Sequence, residues 1–203
     1  MTVDRERVAA LTRELLVAIG EDPDRAGLRQ TPQRVADAYA EFFAGVGEDP
    51  AAPLAHTISV SRGPAPDTLP SGAVLLRGVR FRSMCEHHLL PFAGHAHIAY
   101  LPGEQVVGLG ALPRVVDVLA ARPQVQERLG EQIADTIAGS LDARGVVVVL
   151  DAVHQCVTMR GGRQSDSSTV TVAARGELAE PAARGEIVSL IALGGGLAHE
   201  ELP

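Results

Sequence analysis

Lysine is missing from this chain altogether: all 18 basic residues are arginine. No site here can therefore use a lysine amine, whether as a Schiff-base former or as a point charge for phosphate. The excess of alanine, glycine and valine points to G+C-rich coding as the main cause. Tryptophan is also absent, and aromatics make up only 3% of the 203 residues. There are two cysteines, Cys85 and Cys156, too few for a disulfide framework. No stretch approaches the ~20 consecutive apolar residues of a membrane-spanning helix. The start, MTVDRERVAALTRELL, carries acidic residues where a signal peptide needs a basic region and an apolar run. A cytoplasmic protein without a membrane partner is the expectation. The net charge of −7 argues against binding nucleic-acid polymers, whose phosphates reward a basic surface.

What is present suits one soluble domain, 46% hydrophobic and long enough to bury a core without staples. Val8, Leu11, Leu15 and Ile19 recur at helical spacing over residues 4–19. In TPQRVADAYAEFFAGV, Thr31 reads as an N-cap with Pro32 at the first helical position. Residues 46–72 read as an irregular connection. Strands are expected at 73–81 and 92–102, helices at 110–121 and 123–141, strands at 146–159 and 168–176, and a closing helix at 181–193. The expected division is an N-terminal helical arm and connection (1–72), an α+β core (73–193) in which an antiparallel sheet carries two central helices in the order ββααββ, and a flexible tail (194–203).

The stretch MCEHHLLP places Cys85 and His88 at chelating spacing on the turn between the first two strands. If 146–159 is one strand, His154 and Cys156 project to the same face. Cys85, His88 and Cys156 then match the three-protein-ligand form of a catalytic zinc site, with a fourth position for water. Zinc can bring the pKa of that water to around 7. His87 and His154 are left beside the metal with ordinary pKa values of about 6.5, suited to proton transfer. Two buried thiols near a solvated histidine, or a Cys85–Cys156 disulfide, are the competing readings, and thiolate with imidazole does not exclude iron. His95 and His97 read as structural or solvated; His56 and His199 lie in loops and carry no signal.

TPQRVADAY (31–39), SMCEHHLLPFAGHAHIAYLP (83–102), RPQVQERLGEQIAD (122–135) and VHQCVTMRGGR (153–163) together resemble the GTP cyclohydrolase I family, the last three keeping the family's spacing without a gap. The resemblance, over roughly residues 30–192, implies a tunnelling fold assembled as a homodecamer of two pentamers. It implies hydrolytic opening of the guanine imidazole ring of GTP at C8, loss of formate and closure to 7,8-dihydroneopterin triphosphate. Zinc would be held by Cys85, His88 and Cys156, and protons moved by His87 and His154. Glu127, with Gln126 nearby, would grip the guanine edge; Arg34, Arg114 and Arg160 would hold the triphosphate.

The chain departs from that family where Gly-Leu-Ser-Lys is usual and Gly108-Leu109-Gly110-Ala111 stands instead. The missing serine and lysine normally meet phosphate, and Asp37 occupies a further lysine position of some members. Two lost charge-assisted contacts cost about 3–6 kcal/mol, roughly 10²- to 10⁴-fold in affinity. Arg82 and Arg163 are candidate replacements; Val172, where serine is common, carries little weight. The expected substrate is GTP. The alternatives are a specialised paralogue acting on a less phosphorylated or modified purine nucleotide, with arrest before a pterin forms as a variant of it, and a non-catalytic subunit that binds pterin or purine.

Overall fold

The computed structural model describes residues 3–59 and 72–193. Helix α1 (Arg5–Ala18) is capped by Asp4, whose carboxylate accepts from the Arg7 N–H at 3.0 Å. Helix α2 (Thr31–Phe42) starts one residue earlier than expected. Thr31 is its first helical residue rather than its cap, and Gln30 occupies the cap without a side-chain bond, Pro32 alone setting the start. The expected apolar stripe of α1 is also corrected. Thr12 and Leu16 are buried, while Leu11, Leu15 and Ile19 are 54–66% exposed, because α1 packs on α2 and its other apolar side is left uncovered among the described residues.

The connection contains a short 3₁₀ turn at Ala52–Leu54 and strand β1 (Thr57–Ser59), antiparallel to β4 (Gln105–Val107). Residues 60–71, the rest of the expected connection, and the tail 194–203 with His199 lie outside the described residues. The main sheet runs β5-β2-β3-β6-β7, built from β2 (Val74–Cys85), β3 (Pro91–Leu101), β5 (Pro123–Gln124), β6 (Gly145–His154) and β7 (Thr169–Gly176). All pairs are antiparallel except the two-residue parallel pairing of β5 with the end of β2. The expected ββααββ order is therefore present, with β5 added. Pro123 does not open the second helix: it pairs with Met84 in β5, and the helix begins three residues later.

Helices α3 (Ala111–Ala120) and α4 (Gln126–Leu141) cover one face of the sheet. Leu112, Val115, Leu129, Ile133 and Ile137 bury against Ile98, Tyr100, Val148 and Leu150. The intervening residues Ala99, Leu101, Val147 and Val149 face the other way, under Leu178 and helix α6 (Pro181–Leu193) through Ile187 and Ile191. A central strand buried on both faces explains the unbroken valine run of β6. Arg175 on β7 clamps α4 by donating Nε to Asp135 Oδ1 at 2.6 Å and a second nitrogen to Glu131.

Between strands β3 and β6 there is no room for a side chain at Gly94. A Cβ there would lie 1.9 Å from the Asp151 carbonyl oxygen and 2.6 Å from the Ala152 Cα. Since backbone cannot yield as a side-chain tip does, Gly94→Ala is expected to cost about 3 kcal/mol or more. Thermal melts at equal chain concentration should then show a midpoint lowered by about 6–12 °C.

Candidate metal centre and active site

The site forms where β2 and β6 end. Ser83 Oγ donates to the Ala120 carbonyl at 2.7 Å, pinning the last turn of β2 to α3. Beyond it the chain turns within residues 85–90: Cys85 N–H donates to Leu90 O at 2.9 Å, and Leu89 N–H to Cys85 O at 2.8 Å. Leu89 sits at φ +50°, a left-handed conformation unfavourable for a branched side chain, so strain is held next to the cysteine. Glu86 N–H donates to Gln124 O at 3.0 Å, tying the turn to β5 and hence to the start of α4. Arg128 on α4 binds the Glu86 carboxylate, and that hydrogen bond holds Glu86 below the usual carboxylate range. The His87 and His88 rings stand nearly perpendicular, 85° apart with centroids at 6.2 Å, so the two neighbours present themselves differently.

Strand β6 stops at His154, opposite Phe92, because β3 offers no partner beyond Pro91. The expected strand over 146–159 is thus corrected: residues Gln155–Thr158 form one helical turn, α5. His154 and Cys156 do not project together by strand alternation. The turn carries Cys156 toward Cys85 and His88 and leaves His154 pointing elsewhere. The donor atoms of Cys85, His88 and Cys156 all lie within 4.8 Å of one another. Tetrahedral zinc, with Zn–S near 2.3 Å and Zn–N near 2.0–2.1 Å, needs donors about 3.5–3.8 Å apart, so the three fit around one ion with little adjustment. Both cysteines are free thiols. Burial, followed by contact with Cys85, pushes the Cys156 thiol up, while the positive charge of Arg160 pulls the other way. A cation placed between the two sulfurs would displace that proton, as thiolate–metal bonding requires.

His154 stacks on Phe92, with centroids 4.6 Å apart and planes 4° apart. Its Nε2 lies 2.7 Å from Gln126 Oε1. Burial holds its pKa below the usual imidazole value, against the raising influence of the Glu127 charge. Glu127 is exposed in the first turn of α4, whereas Gln126 is only 1% exposed. The metal donors, His154, Gln126, Glu127 and Arg160 are thereby gathered around the ends of β2, β6 and α4.

The other expected phosphate ligands lie elsewhere in the chain. Arg34 is exposed on α2 and donates to Gln30 Oε1 at 2.8 Å. Arg114, exposed on α3, opens onto a cleft of about 310 Å³ formed with Pro53, His56, Val107, Gly108, Gly110 and Ala111. The cleft lies where the serine and lysine side chains are lacking. His56, which carried no signal in the sequence, faces it. Asp37 is taken up between α1 and α2, accepting from Arg5 at 3.4 Å and Gln33 at 3.2 Å. Arg82 is bound to Glu41. The pairing of Glu86 with Arg128 was likewise unmarked in the sequence, since neither residue stands out until β5 brings them together.

In comparison with known proteins, residues 8–192 match the family model for GTP cyclohydrolase I. "GTP cyclohydrolase 1" of Leifsonia xyli subsp. xyli is 61% identical over 191 residues, covering 94% of this chain and 97% of the relative. "GTP cyclohydrolase 1" of Corynebacterium glutamicum (strain R) is 51% identical over 191 residues, covering 93% of each chain. Among solved structures, the archaeosine synthase QueF-Like in the apo form is similar at a TM-score of 0.42 and 15% identity, over 52% of this chain and 94% of that one.

Proposed function

Because this chain belongs to the GTP cyclohydrolase I family, hydrolases acting on GTP, we propose that it opens the imidazole ring of GTP, releases C8 as formate and closes the product to 7,8-dihydroneopterin triphosphate. The observation that carries the reading is the convergence of Cys85, His88 and Cys156 beside a half-buried, oriented His154. Two thiolates and one imidazole suit zinc, which when bound supplies Lewis acidity and lowers the pKa of water to around 7. Opening the ring requires water to lose a proton and the departing ring nitrogen to gain one. His154 and His87 are the groups that move them. Glu127 accepts from the guanine N1–H and 2-amino group; Arg160, Arg34 and Arg114 hold the triphosphate, to which guanidinium forks are matched. Residues 73–193 are the tunnelling-fold catalytic core and residues 1–72 an arm.

The exposed apolar side of α1 supports assembly into a homo-oligomer, a decamer of two pentamers on this reading. No helix among the described residues is long and apolar enough to cross a membrane, and two free thiols suit the reducing cytoplasm.

One observation favours a second reading, a paralogue for a less phosphorylated guanine nucleotide. The cleft at Gly110 and Ala111 lacks the usual phosphate ligands, and the Asp37 charge is spent on Arg5. A matched assay with GTP, GDP and GMP, recording formate and pterin absorbance together, decides between the two. Equal formate and pterin, with GTP preferred, is the expected result. Preference for GDP or GMP, or formate without pterin, establishes the second reading. A Cβ at Gly110 has nothing within 4 Å, so Gly110→Ser with Ala111→Lys fits sterically at the first position. The pair should lower KM for GTP about 10-fold or more. An unchanged KM removes these positions from the phosphate account.

A further inference from the structure

We propose that Gln126 is a positioning residue that locks His154 as the Nε2–H tautomer, so that Nδ1 is the ring nitrogen through which His154 takes up and returns protons. The inference rests on the proton-transfer role given to His154 above, and the hydrogen-bond pattern carries it further. The Gln126 amide nitrogen lies 2.8 Å from Thr169 O and 3.1 Å from Leu150 O, with Thr171 Oγ1 at 3.3 Å. The first two are backbone carbonyls, which only accept. They sit where the β6–β7 ladder ends, its last pair being Ala152 with Thr169. Gln126 therefore closes the open end of that ladder.

With the amide nitrogen committed to two carbonyls, Oε1 must be the atom 2.7 Å from His154 Nε2. Turning the amide over would set its oxygen against both carbonyls in a site only 1% exposed, leaving buried acceptors unpaired. An amide oxygen cannot donate, so the hydrogen in this contact belongs to Nε2. The parallel stack on Phe92 fixes the ring plane, and Phe92 is held as the direct cross-strand partner of His154. One face of the ring and one nitrogen are thus consumed by the fold. Among the described residues Nδ1 has no hydrogen-bond partner, and it keeps its lone pair for the reaction.

Gln126 precedes Glu127 on the same helical turn, which gives the arrangement a further use. The residue that orients the proton carrier and the carboxylate proposed to grip the base are rigidly joined. A shift of α4 would move both together.

The test is magic-angle-spinning ¹⁵N NMR of sedimented, zinc-loaded enzyme carrying ring-¹⁵N histidine, with the His154 signals assigned by their loss in His154→Gln. The expected wild-type spectrum shows a protonated Nε2 and a bare Nδ1 for this residue. In Gln126→Met, which keeps length and loses the acceptor, the tautomers should mix. kcat should fall about 10²-fold, while zinc content and KM stay near wild type. Gln126→Glu, protonated on the oxygen that faces the Leu150 and Thr169 carbonyls so that it donates there, keeps an acceptor toward Nε2; it should retain the tautomer and exceed the Met variant in kcat. A wild-type proton on Nδ1, or an unchanged tautomer in Gln126→Met, overturns the assignment. A Met variant raised in KM at constant kcat would make Gln126 a substrate contact instead. If the tautomer is as expected but His154→Gln keeps full activity, the acid–base reading fails and the assignment of the nitrogen survives.

Discussion

Cys156→Ala is expected to bind zinc about 10²- to 10³-fold more weakly and to lose activity in proportion to the metal lost. Structural zinc sites with four ligands release about 10–16 kcal/mol on binding, so one thiolate carries roughly 3–4 kcal/mol, equivalent to that loss in affinity. The substitution is chosen at Cys156 rather than Cys85 because the two sit differently in the fold. Cys85 is 6% exposed at the end of a core strand, and its loss would confound metal binding with packing. Cys156 is only half-buried on a single helical turn, and removing its sulfur leaves the sheet untouched. Metal analysis after dialysis against a weak chelator, with formate release measured in parallel, reads both quantities. Substoichiometric zinc with activity restored by added zinc is the expected outcome. Full zinc occupancy in the variant would show that Cys156 is not a ligand. Chelation of the wild-type enzyme should likewise abolish turnover, and zinc should return it.

His154→Ala should lose about 10²- to 10⁴-fold in kcat while keeping one zinc per chain. The two variants therefore separate the metal from the proton carrier, although their residues are two apart in sequence. That separation is a direct result of the break at the end of β6, which sends Cys156 to the metal group and His154 to Gln126. The alanine also leaves Gln126 Oε1 without its partner and a gap over Phe92, so a stability loss of about 1–3 kcal/mol should accompany the kinetic one. His154→Gln, which can still meet the Gln126 amide, should regain most of the stability and none of the activity. Recovery of turnover in the glutamine variant would mean that the ring at this position only fills space.

Most of the core was legible because hydrophobic period and chain punctuation agree in it. Pro91, Gly145 and the i, i+4 series through Leu129, Ile133 and Ile137 mark elements that tertiary packing then keeps. The metal donors were legible for a different reason: with only two cysteines, each two residues from a histidine, the choice of soft ligands was already narrow. What escaped reading was decided by partners distant in sequence. Pro123 looks like a helix opener, but the free edge of β2 draws it into a parallel pair instead. The valine run reads as continuing through Cys156, yet a strand ends where its neighbour does, and β3 starts at Pro91. The stripe on α1 was found correctly as apolar, but which side is buried depends on α2. Gln126 and Glu127 look alike in sequence; only the carbonyls at the end of the β6–β7 ladder turn the first inward. Asp37 could be seen as a reversed charge, and only Arg5 on α1 shows where that charge goes.

The placement of the donors also fixes an order of events in the life of the chain. Cys85 lies at the end of a local hairpin that can close early. Cys156 arrives only after α3, β5 and α4 have been laid down and β6 has paired with β3, which is the slow, non-local step of such a topology. Until then two unpaired thiols are exposed on a nascent polypeptide, and oxidation at that stage would join or cap them before any ion could enter. On the proposed zinc reading, metal capture would be the last stage of maturation. Zinc bound per chain would then count the molecules that finished folding, a more stringent measure of sample quality than yield or helix content.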